Sequence, residues 1–274
     1  MKKSVMMIML FSLLLMCGCQ QKAAGEVITL RIVDGAESGN LVLAGEGAGD
    51  VFTLSADDVM VYLDGEKADA SVLEDGMTAE IMHSGDMQET WPATFGKVQW
   101  IDVYSLGSEK NPGGGLYDLC GLYLQVLDDL WEKDAGLNGG AEYVSVDLDS
   151  APGELTEGEK AAVAWIFAGK HDVEPLTLAY EELAEQGYFT EFPLTGNGCC
   201  INAEERKYYA WENGILFSIT GRTSGTEQYS LPVIQFNAMK WRTPLGAYYF
   251  SDCSAVWPEM GSWGSYNVES EMIS

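Results

Sequence analysis

A chain of 274 residues with only two histidines, His83 and His171, must use one of them in any nucleophile–base relay built on imidazole. No Gly-x-Ser-x-Gly elbow presents a serine nucleophile. Gly169-Lys170 and Gly96-Lys97 lack the upstream glycine and the following Ser or Thr of a phosphate loop. No His-Glu-x-x-His or paired Cys-x-x-Cys offers a zinc site. His83 alternates with Ile81 and meets the Ser84-Gly85 turn, so it reads as a rim residue. His171 follows a helix end, where the carbonyl dipole favours an imidazolium cap. Asp147-Leu148-Asp149-Ser150 opens like a calcium loop, but Ala151 and Pro152 stand where an oxygen ligand and a glycine are needed. Asp147, Asp149 and Glu154 then remain as a looser calcium trio or as a solvated turn. With 42 acidic residues, a carboxylate-dependent hydrolysis is a catalytic chemistry that is open and needs no histidine. Rings are the other resource. Trp211, Trp241, Tyr248, Tyr249, Phe250, Trp257, Trp263 and Tyr266 crowd the C-terminal part, and alternation sends consecutive Tyr248 and Tyr249 to opposite faces. Trp241, Tyr249 and Trp257 are the candidates for stacking on a sugar or cell-wall glycan, with padding of the core as the competing role.

The N-terminus bears on the compartment. Lys2-Lys3, an apolar run from Val5 to Met16 broken only by Ser12, and Cys17-Gly18-Cys19 form a basic, an apolar and a small-residue region in the order of an export signal. The run falls short of the about 20 residues a bilayer span requires. Leu14 to Cys19 resembles the bacterial lipobox, with Gly18 preceding the cysteine and Met and Cys at the two positions before it. That resemblance implies diacylglycerol on Cys19, the first residue of the mature chain, and an extracytoplasmic protein anchored to the cell membrane by lipid. Two long acyl chains suffice for stable anchoring where one does not.

Loss of Lys2 and Lys3 with the leader takes the formal charge from −27 to −29. So acidic a surface repels phosphate backbones, which excludes nucleic acid as a partner, and it favours a body standing off anionic lipid. A hydrophobic fraction of 47% supports a packed core. Beyond the leader, Cys120, Cys199, Cys200 and Cys253 are candidates for one or two disulfides, which an exported protein can keep, with three complete pairings open. No cofactor is implied.

The elements that would position these groups fall into two blocks. Residues 1–18 are the leader and 19–26 a polar tether. Short strands over Val27–Val33, Leu41–Ala44, Val51–Leu54, Val59–Leu63, Met77–His83 and Lys97–Tyr104 predict a small β module over 27–106. Asn111-Pro112-Gly113-Gly114-Gly115 marks a linker over 107–115. From 116 to 274 the period changes. Leu116, Leu119, Cys120, Tyr123, Leu127, Leu130 and Trp131 predict a helix ending near Gly136. Tyr143–Leu148 is a strand, and Thr156 with Glu159 forms a capping box opening a helix through Ala168. Thr177 is expected to cap a short helix that stops at Gly187. Asn213-Gly214 is expected to turn a hairpin between Tyr208–Trp211 and Ile215–Thr220, with Ile215, Phe217 and Ile219 on one face. Val233–Trp241, Gly246–Trp257 and Tyr266–Met272 would complete a meander. The fold class is α+β: an all-β module, then helices packed on an antiparallel meander.

Leu73-Glu74-Asp75-Gly76-Met77-Thr78-Ala79-Glu80-Ile81, Gly85 and Glu89-Thr90-Trp91-Pro92-Ala93 resemble a group of uncharacterised bacterial envelope domains, with Thr90 where serine is usual. The resemblance implies an OB-like barrel and carries over no catalytic residue. Together these readings describe a non-catalytic envelope lipoprotein that binds a glycan or an envelope protein. The alternative is a carboxylate-dependent extracytoplasmic hydrolase.

Overall fold

The computed structural model describes residues 25–105, 107–111, 118–193, 207–222, 233–256 and 266–274. The leader, Cys19 and nearly all of the tether lie outside the described residues, as do Cys199, Cys200 and Trp257.

The first sheet contains β1 (Glu26–Asp34), β2 (Asn40–Ala44), β3 (Val51–Ser55), β4 (Met60–Leu63), β5 (Glu66–Ala68), β6 (Thr78–His83), β7 (Met87–Gln88), β8 (Ala93–Phe95) and β9 (Val98–Val103). Its spatial order is β5-β4-β9-β6-β1-β2-β3-β8-β7. The alternation in β1 explains its two sides. Ile28, Leu30 and Ile32 point into a core shared with Leu43, Phe52, Ile81 and Ile101, while Val27, Thr29, Arg31 and Val33 point the other way. Among the described residues no α-helix contributes to that inner core; strand side chains, with Leu73, Met77 and a few others from the connections, fill it and the sheet must coil. The pairing does not close into the expected barrel. It ends at β5 and β7, of three and two residues, and the exposed Glu66 and Lys67 on β5 blunt one of the two edges.

The second part contains α1 (Leu119–Glu132), β10 (Tyr143–Asp147), α2 (Glu157–Lys170), β11 (Glu174–Leu176), α3 (Tyr180–Glu185), β12 (Thr190–Pro193), β13 (Lys207–Ala210), β14 (Gly214–Gly221), β15 (Val233–Thr243), β16 (Gly246–Val256), β17 (Tyr266–Asn267) and β18 (Ser270–Ile273). β14, β15 and β16 with β17 and β18 form the expected antiparallel meander. β10 and β11 then extend it in parallel, β10 pairing with β14, so the sheet is mixed. The expected Asn213-Gly214 hairpin is absent: β13 pairs with β12 in a separate two-stranded ribbon. The chain between β13 and β14 is taken up by Trp211, whose ring lies over Gly214 so closely that a Cβ there would sit 1.9 Å from it. Ile215, Phe217 and Ile219 do share a face.

The Thr156 capping box forms as expected. Its Oγ1 accepts from Glu159 N at 3.1 Å, and Glu159 Oε2 accepts from Thr156 N at 2.8 Å. Thr177 caps nothing. α3 begins after Ala179, whose N–H is taken by Glu182 Oε2 at 2.9 Å.

Helices α1 and α2 lie between the sheets. On one side they meet Ile215, Phe217, Phe236 and Phe250 of the mixed sheet, and on the other Val33, Val42, Ala44 and Val51 of the first sheet. Polar contacts stitch the second junction. Arg31 Nε pairs with Glu159 Oε1 at 2.6 Å, and Thr156 Oγ1 donates to Gly45 O at 2.7 Å. The start of the expected linker is itself packed: Asn111 is buried and its Nδ2 donates to Tyr104 O at 2.9 Å.

Candidate ligand-binding groove

The side chains singled out for chemistry fall mainly into structural roles. Trp241 is buried, edge-on to Tyr180 at 5.1 Å and to Phe189 at 5.2 Å, so it pads the outer face of the mixed sheet and is closed to a ligand. Tyr249 packs beside it, half-buried, while Tyr248 faces the helices, as alternation requires. Cys120 and Cys253 are buried free thiols in the helix–sheet core. Burial pushes Cys120 well above the usual thiol range and Cys253 up to about 12, so neither is a nucleophile. His83 is buried and not on a rim: its Nδ1 accepts from Gly85 N at 3.2 Å, and its ring lies 5.1 Å from Phe95. His171 does follow α2, but its ring stacks on Trp131 at 4.1 Å with Nε2 3.3 Å from Asp128. Burial lowers its pKa against the pull of Asp128, so the imidazole and not the expected imidazolium is the favoured form. In the Asp147–Glu154 turn, Asp147 Oδ1 accepts from Asp149 N at 3.1 Å and Asp149 pairs with Lys160 at 2.7 Å. Among the described residues no three ligating side chains converge as a metal site.

A hydrolytic acid pair would need carboxyls with raised pKa facing a cleft. Burial raises Asp75, Asp118 and Asp147, with Asp118 reaching about 7. None of the three lines any of the four clefts described, whose acids are Glu46, Asp129, Glu132, Glu142, Glu159, Asp172, Glu174 and Glu271. Two of the three at the α1–β18 cleft, Asp129 and Glu271, are already engaged. Lys133 pairs with Glu271 at 2.9 Å and Tyr266 donates to Asp129 at 2.8 Å.

One cleft differs in chemistry. A groove of about 350 Å³ runs where the β7–β8 connection and the β2–β3 loop face α2, β11 and the ends of α3. Ala161 and Ala164 of α2 form its floor. Trp91, Pro175, Thr177, Leu178, Gln186 and Tyr188 form its walls. Trp91 is 49% exposed, while Tyr188 is fixed from behind by edge contacts to Tyr143 at 6.2 Å and Trp211 at 5.7 Å. The first-sheet side of the indole's loop is held by Thr90, whose Oγ1 donates to Pro92 O at 2.8 Å. β11 is an edge strand of its sheet, which leaves this side of it open. On a chain of net charge −27 the groove carries no Asp, Glu, Lys, Arg or His.

No family model, curated protein or solved structure matches the chain. The groove therefore speaks through its own chemistry: an exposed indole, a tyrosine ring, a hydroxyl and an amide around a neutral, largely apolar trough. Sequence reasoning missed it. Trp91 belongs to the Glu89–Ala93 segment that carries the envelope-domain resemblance, and a Trp-Pro pair between short strands was the available signal. The partner wall, from Pro175 to Tyr188, comes from the other block and has no sequence pattern that points to Trp91.

Proposed function

We propose that the chain is an extracytoplasmic lipoprotein, anchored through Cys19, whose folded part binds a neutral glycan in the Trp91 groove without transforming it. The export leader and its lipobox-like end support the anchor. The carrying observation for binding is the exposed indole over a charge-free groove between two sheets. Pockets at such junctions, apolar with a few polar groups, are where small ligands are held. A flat apolar sugar face stacks on the indole, and Thr177 and Gln186 offer a hydroxyl and an amide for its hydroxyls. An OB-like kinship of residues 27–106 belongs to the same proposal and draws support from the single core that the coiled strands enclose. The hydrolase reading is less well supported, because the groove holds no carboxylate.

The test presents the mature chain to an array of neutral oligosaccharides while release of new reducing ends is followed. Binding without release is expected, and Trp91→Ala weakens it at least about tenfold, or about 1.4 kcal/mol. Unchanged affinity in the alanine variant, or release of reducing ends, rejects the reading.

A further inference from the structure

The face of the first sheet that meets the helices is only half covered. Val33, Val42, Ala44 and Val51 are buried there against α1 and α2. Toward the start of β1 the same face is open, and the register places four apolar side chains in one row. Val27 on β1 stands opposite Met82 on β6, Met82 opposite Trp100 on β9, and Trp100 opposite Met60 on β4. Val27 is 49% and Met60 46% exposed, while Met82 and Trp100 are partly exposed. Tyr62, two residues along β4 on the same face, sets its ring edge-on to Trp100 at 6.4 Å. An apolar row carrying an indole, with a phenol beside it, open across four strands, is costly to leave in water.

The row lies where the chain enters the fold. Gly25 is the first described residue, and a Cβ on it would touch Met82 Sδ. Cys19 is six residues earlier, so the two Cα atoms are separated by at most about 20 Å of extended chain. A lipid on Cys19 would thus keep this row within reach of the membrane surface. The next row along the strands is polar: Glu80 stands opposite Asp102, Asp102 opposite Tyr62, and Glu80 is held by Lys110 at 2.6 Å. An apolar strip backed by acids suits shallow seating at the headgroup level, where Trp and Tyr rings sit at a bilayer surface, and it turns the acidic body away from the lipid.

We propose that Val27, Met82, Trp100 and Met60 form a membrane-contact strip that seats the first sheet on the lipid surface to which Cys19 is anchored. The proposal rests on the lipoprotein reading, and its test separates the two. The full chain, made with its leader and purified from membranes, is reconstituted in phosphatidylcholine vesicles with brominated acyl chains, and intact mass reports the lipid on Cys19. A second sample carries hexahistidine in place of Cys19 and is held on nickel-chelating vesicles with the same acyl chains. The Trp100 contribution is the difference in fluorescence quenching between the wild-type chain and Trp100→Phe. Quenching of Trp100 is expected in both samples, cut about threefold by Met60→Glu and unchanged by Leu245→Glu, an 88% exposed site on the β15–β16 turn. Quenching on the chelating vesicles with an unmodified Cys19 in the first sample rejects the anchor and keeps the strip. Trp100 unquenched in both samples, or quenching indifferent to Met60→Glu, overturns the strip. So does a dimer of the vesicle-free chain that Met60→Glu dissociates, which would assign the row to a second copy.

Discussion

At the scale of single residues, Asp118 is the carboxyl whose surroundings most distort its chemistry among the described residues. It precedes α1 in a left-handed conformation, φ 51°, and its carboxylate accepts from Gly121 N at 3.1 Å. Burial pushes the carboxyl up to about 7; the Gly121 hydrogen bond opposes this, and nearby Asp75 and Asp34 add to it. An unfolded aspartate titrates near 4, so between roughly pH 4 and 7 the folded chain holds a proton that the unfolded chain has lost. Stability from this group therefore falls as pH rises through that window, by at most about 4 kcal/mol, and is level above it. Asp118→Asn should keep the cap and the left-handed backbone, because asparagine tolerates both. Urea midpoints at pH 5 and 8 should differ less in the variant than in the wild-type chain. Asp75 and Asp147, also raised, leave a residual slope, and the depressed His171 cancels in the comparison. An identical pH difference in both proteins would refute the assignment. None of this was legible in the sequence, where Asp118 is one acid among many beside a glycine-rich stretch; apart from Gly121, the groups that shift it are more than forty positions away.

At the scale of elements, local signals were legible and partner choices were not. The Thr156–Glu159 box, the apolar stripe of α1 and the shared face of Ile215, Phe217 and Ile219 are periodic or adjacent patterns, and each formed. The Asn213-Gly214 turn failed because Trp211 has a buried slot to fill and β14 finds a parallel partner in β10. Tertiary packing overrode a local turn preference. The end of α1 shows the same dependence. Lys240, fully buried on β15, donates to the carbonyls of Lys133 at 2.7 Å and Trp131 at 3.1 Å, the last turn that no side chain of the helix caps. Burial lowers its pKa to about 8 against the pull of Asp134 and Glu132. Lys240→Met should cost about 3 kcal/mol, since it leaves the Lys133 carbonyl without its lysine donor and Trp131 O with Asn138 Nδ2 alone. Amides over 130–138 should also exchange faster. Unaltered stability with unaltered exchange would show that the lysine is not what holds the helix end.

At the scale of the molecule, the sequence suggested two blocks joined by a glycine linker, and the packing argues for closer coupling. α1 and α2 bury side chains from both sheets in one cluster, so removing either sheet would expose to water the apolar helix side chains that face it. The contact is tight at the start of α2, where a Cβ on Gly158 would lie 2.4 Å from Gly45 O and 3.0 Å from Gly47 O. Both neighbours are backbone, so the loop itself must move. In an exposed helix, replacing glycine by alanine stabilises by up to about 1 kcal/mol. Gly158→Ala should reverse that sign and destabilise by more than about 1 kcal/mol, because the clash falls on a close-packed junction. The expectation extends to cooperativity. Calorimetry of the wild-type chain should give one transition with equal calorimetric and van't Hoff enthalpies. The glycine variant should lower that single transition, since the Arg31–Glu159 pair and the Thr156–Gly45 hydrogen bond lie beside the same contact. Two separate transitions in the wild-type chain, with only one moved by Gly158→Ala, would mean that the sheets fold independently and merely touch. The Trp91 groove, walled from both sides, would then open and close with that contact.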